Sequence, residues 1–141
     1  MMSTQSQLRF VQAVVLLNGV SYALVGVALL FAPEWFFANI GNFPPFNHHY
    51  AGDLGSFQLA MGAGLLYAVR HPAAHVAVLG VAAAGGTLHA LNHVADALRG
   101  IGGWDQTLAL SILAVVTVAA LWQIRRHQGD CHLVCSASSG R

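Results

Sequence analysis

Apolar positions along this chain come in long runs rather than narrow stripes. No charged side chain falls between Arg9 and Glu34, nor between Asp53 and Arg70, and two more apolar stretches follow. The pattern predicts four membrane-spanning helices over residues 10–32, 53–70, 73–97 and 105–124. Each approaches the ~20 residues that cross ~30 Å of hydrocarbon, the second being the shortest. In lipid such runs must be helical, because every backbone N–H and C=O needs an internal partner. The punctuation agrees. Pro33 follows the first run, Pro44 and Pro45 sit in a polar connection, and Pro72 opens the third helix. Gly100, Gly102 and Gly103 separate the third from the fourth. The predicted class is all-α, a four-transmembrane-helix bundle.

Composition strengthens this reading. Of 141 residues, 56% are hydrophobic and 8% charged, with a mean hydropathy of +0.60. A soluble domain carries about 25% charged residues, so this chain cannot clothe itself for water. A net charge of +1 excludes a nucleic-acid binder that relies on a basic face. All six basic residues are Arg, which with the abundant Ala, Gly and Val reads as a GC-rich bacterial gene. The first run exceeds the ~7–15 residue core of a signal peptide and lacks a small-x-small cleavage site, so it is expected to stay as a span. Residues 127–141 are expected to form a polar, disordered cytoplasmic tail.

Orientation follows from Arg placement. Arg9, Arg70, Arg125, Arg126 and Arg141 fall on the side of the two termini, and only Arg99 falls opposite. The positive-inside rule makes both termini cytoplasmic, in a bacterial inner membrane. The longest connection then faces outward. Its Trp35, Phe36, Phe37, Phe43, Phe46 and Tyr50 suit a segment lying along the outer headgroups. Small residues predict where helices meet: Gly19, Ala23 and Gly26 on the first, the ladder Gly52, Ser56, Ala60 and Gly64 on the second, and Ala82 with Gly85 or Gly86 on the third. Self-association through such a face is the alternative use.

Candidate chemistry gathers on the outward side. His89, His93 and Asp96 share one stripe of the third helix, with Asn92 at its border. Counted from His71, Asp53 and His89 are equally distant, and so are His49 and His93. Equal rise therefore brings His48, His49, Asp53, His89, His93 and Asp96 into one predicted layer. Ionisable residues near a membrane mark a site or a mutually satisfied pair. As a site, His89 and His93 would be the principal metal ligands. Asp53 and His49 would complete the set, while Asp96, Asn92 and His48 orient them. The same groups could bind haem or a quinone headgroup, or relay protons. As a structural device they would be interhelical ties, Asp53 to His89 and His93 to Asp96. The sequence leaves these open.

Other chemistries find less support. His89 and His93 have the spacing of a zinc-protease helix, but Ala90 stands where the general-base Glu belongs. There is no nucleophile elbow and no glycine-rich phosphate loop. His71 and His75 read as interfacial. In the tail, His127, Cys131, His132 and Cys135 form a weak zinc pattern with no core behind it.

The phrase Tyr22-Ala23-Leu24-Val25-Gly26 before Pro33-Glu34, and Asp53-Leu54-Gly55-Ser56-Phe57-Gln58-Leu59-Ala60-Met61-Gly62 opening the second span, resemble small bacterial DoxX-like membrane proteins. Asp53, His89 and His93 match an acidic residue early in helix two and histidines late in helix three of such proteins. The resemblance spans roughly residues 10–124 through short motifs, and implies a four-helix bundle and an accessory role beside a quinone-linked membrane oxidoreductase. It carries no catalytic residue over, and His48-His49 and the tail cysteines have no counterpart in it. The expected function is a non-catalytic binding or accessory subunit whose outward layer holds a metal, haem or quinone headgroup. The alternatives are a membrane-embedded metal-dependent oxidoreductase or hydrolase using the same layer, and a purely structural interaction protein.

Overall fold

A computed structural model describes the backbone of residues 4–139 and the side chains of residues 5–126. Among the described residues the chain is all-helical, with five helices and no strand. These are α1 (Thr4–Phe31), α2 (Pro33–Asn39), α3 (His48–Ala68), α4 (Val76–Leu98) and α5 (Trp104–Ser139). Two of them, over Gln5–Phe31 and Trp104–Arg126, are long and apolar enough to cross a membrane. The predicted spans at 53–70 and 73–97 are helical too, but Gly, His, Asn and Gln dilute their apolar character. α5 runs on past the predicted end of the fourth span, so the backbone of the expected tail continues the helix to Ser139. The side chains of the tail, with the metal pattern read for Cys131 and Cys135, lie outside the described residues.

Local chemistry sets the boundaries. Pro33 cannot continue α1, and it occupies the first turn of α2, where its missing N–H is harmless. α3 starts five residues before the predicted span because Asn47 caps it, its side-chain oxygen accepting from the Tyr50 N–H at 3.0 Å. α4 ends in a glycine cap: the Gly100 N–H bonds Ala97 O at 3.1 Å and the Ile101 N–H bonds Asp96 O at 2.8 Å. Gly100 takes φ +75 to make this turn, a left-handed conformation that glycine adopts at little cost.

The helices pack as two antiparallel pairs, α1 with α3 and α4 with α5, and α1 also meets α5. α3 and α4 are joined by a short turn but touch over less of their length. Glycines set the α1–α3 pair. A Cβ added at Gly26 would stand 2.5 Å from Leu59 N, and one at Gly62 would stand 2.5 Å from Ala23 N. Gly19 meets Leu66 and Gly55 meets Leu29, so the backbones touch along most of α3. The packing residues are Gly55 and Gly62, seven apart, and the predicted ladder Gly52, Ser56, Ala60 and Gly64 does not form the contact. A Cβ on Gly52 would meet nothing within 4 Å, and Ser56 and Ala60 are exposed. The reason is helical drift. Four-residue steps rotate about 40° each, walking the ladder off one face, whereas seven-residue steps drift only ~20°. In the second pair the buried alanines Ala83, Ala90 and Ala97 of α4 are also spaced by seven, and Thr107 and Ala114 of α5 are buried.

All four long helices share one core: Val11, Val14 and Val15 of α1, Leu65 and Ala68 of α3, Leu79 and Ala82 of α4, Ala120 and Ile124 of α5. All of them lie toward the α3–α4 turn rather than toward the opposite end of the bundle. The opposite half, here the far end, carries the 32–47 and 99–103 connections and most of the polar candidates.

Candidate functional site

At the far end the predicted layer resolves into separate pairs. His49 Nε2 lies 3.5 Å from Asp53 Oδ2 on the same exposed face of α3. His48 Nε2 lies 3.8 Å from Glu34 Oε1, its ring edge-on to Phe46. On α4 the rings of His89 and His93 stand 4.8 Å apart, edge to face. Asp96 accepts from Asn92 Nδ2 at 3.2 Å and from Arg99 Nη1 at 3.5 Å.

This arrangement does not bring the four-residue metal set together. Among the described residues no group of three or more His, Cys, Asp and Glu is placed to hold a metal ion. His49 and Asp53 satisfy one another, and His89 and His93 are left as an imidazole pair. The expected ties fail as well. Asp53 pairs with His49 rather than His89, and Asp96 pairs with Asn92 and Arg99 rather than His93. Asp53 misses His89 because α3 and α4 diverge beyond their turn, and Asp96 misses His93, on its own helix, because Asn92 and Arg99 already engage it.

His93 is held from two sides. Its backbone carbonyl accepts from Thr107 Oγ1 at 3.3 Å, binding α4 to the start of α5. Its ring meets Phe43 edge-on at 5.9 Å. Phe43 belongs to the 40–47 connection, which Gln106 fastens by donating to Ile40 O at 2.7 Å. This aromatic segment therefore crosses from the α1–α3 pair to the head of the α4–α5 pair. Phe37 and Phe46 stack within it at 5.1 Å.

Four polar residues deeper in the bundle complete the picture. Asn18 Nδ2 donates to Thr117 Oγ1 at 2.9 Å, a buried bond between α1 and α5, and Thr117 donates onward to Leu113 O at 2.6 Å. The expectation that Asn18 bonds across the bundle is met. Tyr22 points its hydroxyl toward α4, 3.6 Å from where a Cβ on Gly86 would stand. Gln58 was not singled out by the sequence. Its Oε1 is buried and has no hydrogen-bond partner. The signal available was position: Gln58 lies seven residues from Leu65, and so on the same inward face of α3.

Chemically, two neighbouring imidazoles on one helix face offer two nitrogen lone pairs to a borderline metal ion. An open groove of about 290 Å³ between α4 and α5, lined by Ala90, Leu91, Ser111, Ala114 and Val115, is apolar, and helical geometry puts it on the other flank of α4 from His89. No family model, no curated protein and no solved structure matches the chain.

Proposed function

We propose that the chain is a four-span protein of a bacterial inner membrane, with both termini cytoplasmic, serving as a non-catalytic binding or accessory subunit. Burial supports the membrane reading. Only 33% of the most apolar window of α1 and 28% of that of α5 is buried, whereas a soluble core helix is mostly covered. Leu24, Phe31, Leu88, Leu98, Ile112 and Val115 stand exposed around the bundle, as lipid-facing side chains do. Pairing extends the argument to the other two helices. α3 is locked against α1 from Gly55 to Leu66, and α4 packs along α5, so helices joined this closely cross together. At the terminal end the Arg126 guanidinium lies 4.0 Å over the Trp122 ring, a cation–π pair suited to a cytoplasmic headgroup boundary.

The binding role rests on one observation, the side-by-side His89 and His93 on α4, without a carboxylate partner among the described residues. The DoxX-like resemblance supports an accessory rather than catalytic role. The test is elemental analysis and a visible spectrum of detergent-purified protein, wild type beside His89→Ala/His93→Ala. The expected result is about one equivalent of metal, or a chromophore band, lost in the double variant while the helical signal is kept. Folded wild type that is colourless and takes up no metal on addition overturns the reading. Turnover by the loaded protein would move it to the oxidoreductase or hydrolase class.

A further inference from the structure

On the side of the α3–α4 turn the described charges are of one sign. Phe10 and Val69 pack against the shared core, and Ile124 belongs to it. Their neighbours in sequence are Arg9 on α1, Arg70 just past α3 and Arg125 on α5, with Arg126 following. Three segments distant in sequence thus bring four guanidinium groups to one end of the bundle, and all four residues are exposed. Among the described residues no carboxylate stands with them. Glu34, Asp53, Asp96 and Asp105 belong to the far end, and so do the ion pairs of His48, His49 and Arg99. Two exposed rings flank the basic end. Trp122 lies under the Arg126 guanidinium, and Tyr67 meets His75 edge-on at 5.0 Å, joining the last turn of α3 to the entry of α4.

Cations gathered without counter-charge attract an anion, and the side chains say which kind. The chain uses Arg throughout and no Lys. A guanidinium is a planar fork that matches two oxygens of a phosphate and sheds its hydration more readily than an ammonium. An exposed Trp and Tyr beside it belong at a headgroup boundary, where one side of the ring is apolar and the other wet. One to two turns farther into the bundle, Leu16, Leu66 and Val118 stand exposed, an apolar flank that a soluble anion would not use. We propose that this end holds an anionic phospholipid, its phosphodiester drawn to Arg9, Arg70, Arg125 and Arg126 and its acyl chains laid along the apolar flank. Inorganic phosphate offers the same oxygens without the chains. The inference rests on the four-span reading and adds a partner to it. It is independent of His89 and His93, which lie toward the other end.

The test is quenching of Trp122 fluorescence by brominated lipid, with the full chain reconstituted in phosphatidylcholine vesicles. Trp35→Phe and Trp104→Phe leave Trp122 as the sole indole. Brominated phosphatidylglycerol is compared with brominated phosphatidylcholine. Phosphatidylglycerol should be favoured about 10-fold or more, and Arg70→Gln and Arg126→Gln should each lower that preference about 5-fold, the contribution of one Arg near a charged surface. Arg70→Gln leaves the surroundings of Trp122 intact, so it reports the cluster rather than the ring pair. Salt at ~1 M should nearly abolish the preference, since the Debye length falls to ~3 Å. With Trp104 as the sole indole no preference is expected, because that end carries the carboxylates. Equal quenching by the two lipids, or a preference unchanged in both Arg variants, overturns the inference and leaves the four-span reading standing. Relief of quenching by inorganic phosphate would make the free anion the ligand and overturn the lipid assignment. A chain that stays in solution without detergent or vesicles overturns the four-span reading and this inference together.

Discussion

Replacing Gly62 by Ala adds one methyl group at one of the two tightest points of the α1–α3 pair, the other being Gly26. That carbon would stand 2.5 Å from Ala23 N, 2.8 Å from Ala23 Cα and 2.9 Å from Ala23 Cβ. Non-bonded carbon atoms rest at about 3.5–4.0 Å, so the shortfall is about 1 Å. Two of the three atoms are backbone, which no rotamer change can move aside. The helices must separate, and the separation propagates to the neighbouring contacts of Gly19 with Leu66, Gly26 with Leu59 and Gly55 with Leu29. A gap of 0.5–1 Å forfeits roughly a quarter to a half of each dispersion well. In lipid these contacts carry the association, because no hydrophobic effect drives helices together there. Overpacking of this kind destabilises by about 1–3 kcal/mol. Gly→Ala at a helix position with free space does the reverse, gaining up to ~1 kcal/mol in propensity. Gly52 and Gly85 are such positions, with nothing within 4 Å of an added Cβ. The assay is unfolding of purified protein in detergent by SDS titration, followed by tryptophan fluorescence. Gly62→Ala should unfold at lower denaturant than wild type, with Gly52→Ala and Gly85→Ala equal to wild type or above it. If the three variants unfold together, the close-packed pairing of α1 and α3 is wrong.

Two further outcomes follow from hydrogen bonds and ion pairs. In a double-mutant cycle, Asn18→Leu and Thr117→Val should show a coupling of about 0.6 kcal/mol and no more than ~1.7 kcal/mol, the range for interhelical hydrogen bonds in lipid; zero coupling would mean that the 2.9 Å bond does not join α1 to α5. His49→Ala and Asp53→Asn should each change stability by less than about 0.5 kcal/mol and leave the metal content of the purified protein unchanged, since this pair is solvent-exposed and separate from His89. A loss of metal in either variant would restore the four-residue set that the geometry separates.

The helical runs were legible because charge avoidance is a coarse signal spread over some twenty residues. The start of α3 was not, since one Asn47 side chain outweighs the polarity of His48 and His49 by satisfying a first-turn N–H. Partner choice was harder still. Counting outward from His71 assumes that helices adjacent in sequence stay adjacent in space, yet α3 pairs chiefly with α1. The glycine spacing held that information: Gly19 and Gly26 are seven apart, Gly55 and Gly62 likewise, and antiparallel heptads match. The four-residue ladder on the same helix was the more conspicuous pattern, but it winds around the helix instead of staying on one face.

The same seven-residue rule separates the histidines by consequence. His48 and His49 stand at the start of α3, exposed beside Glu34 and Asp53, where water and a carboxylate satisfy them. His89 sits a heptad beyond Ala82 of the core, yet it is exposed. Gln58 departs from the apolar pattern at the corresponding step of α3. Two polar residues placed independently at one level of a lipid-facing bundle would serve as a tie if they bonded to each other. They do not, because Gln58 Oε1 has no donor at all and Asn18 with Thr117 already ties the helices one turn away. Asn18 and Thr117 thus stitch α1 to α5 through this layer, while His89 on α4 is left open.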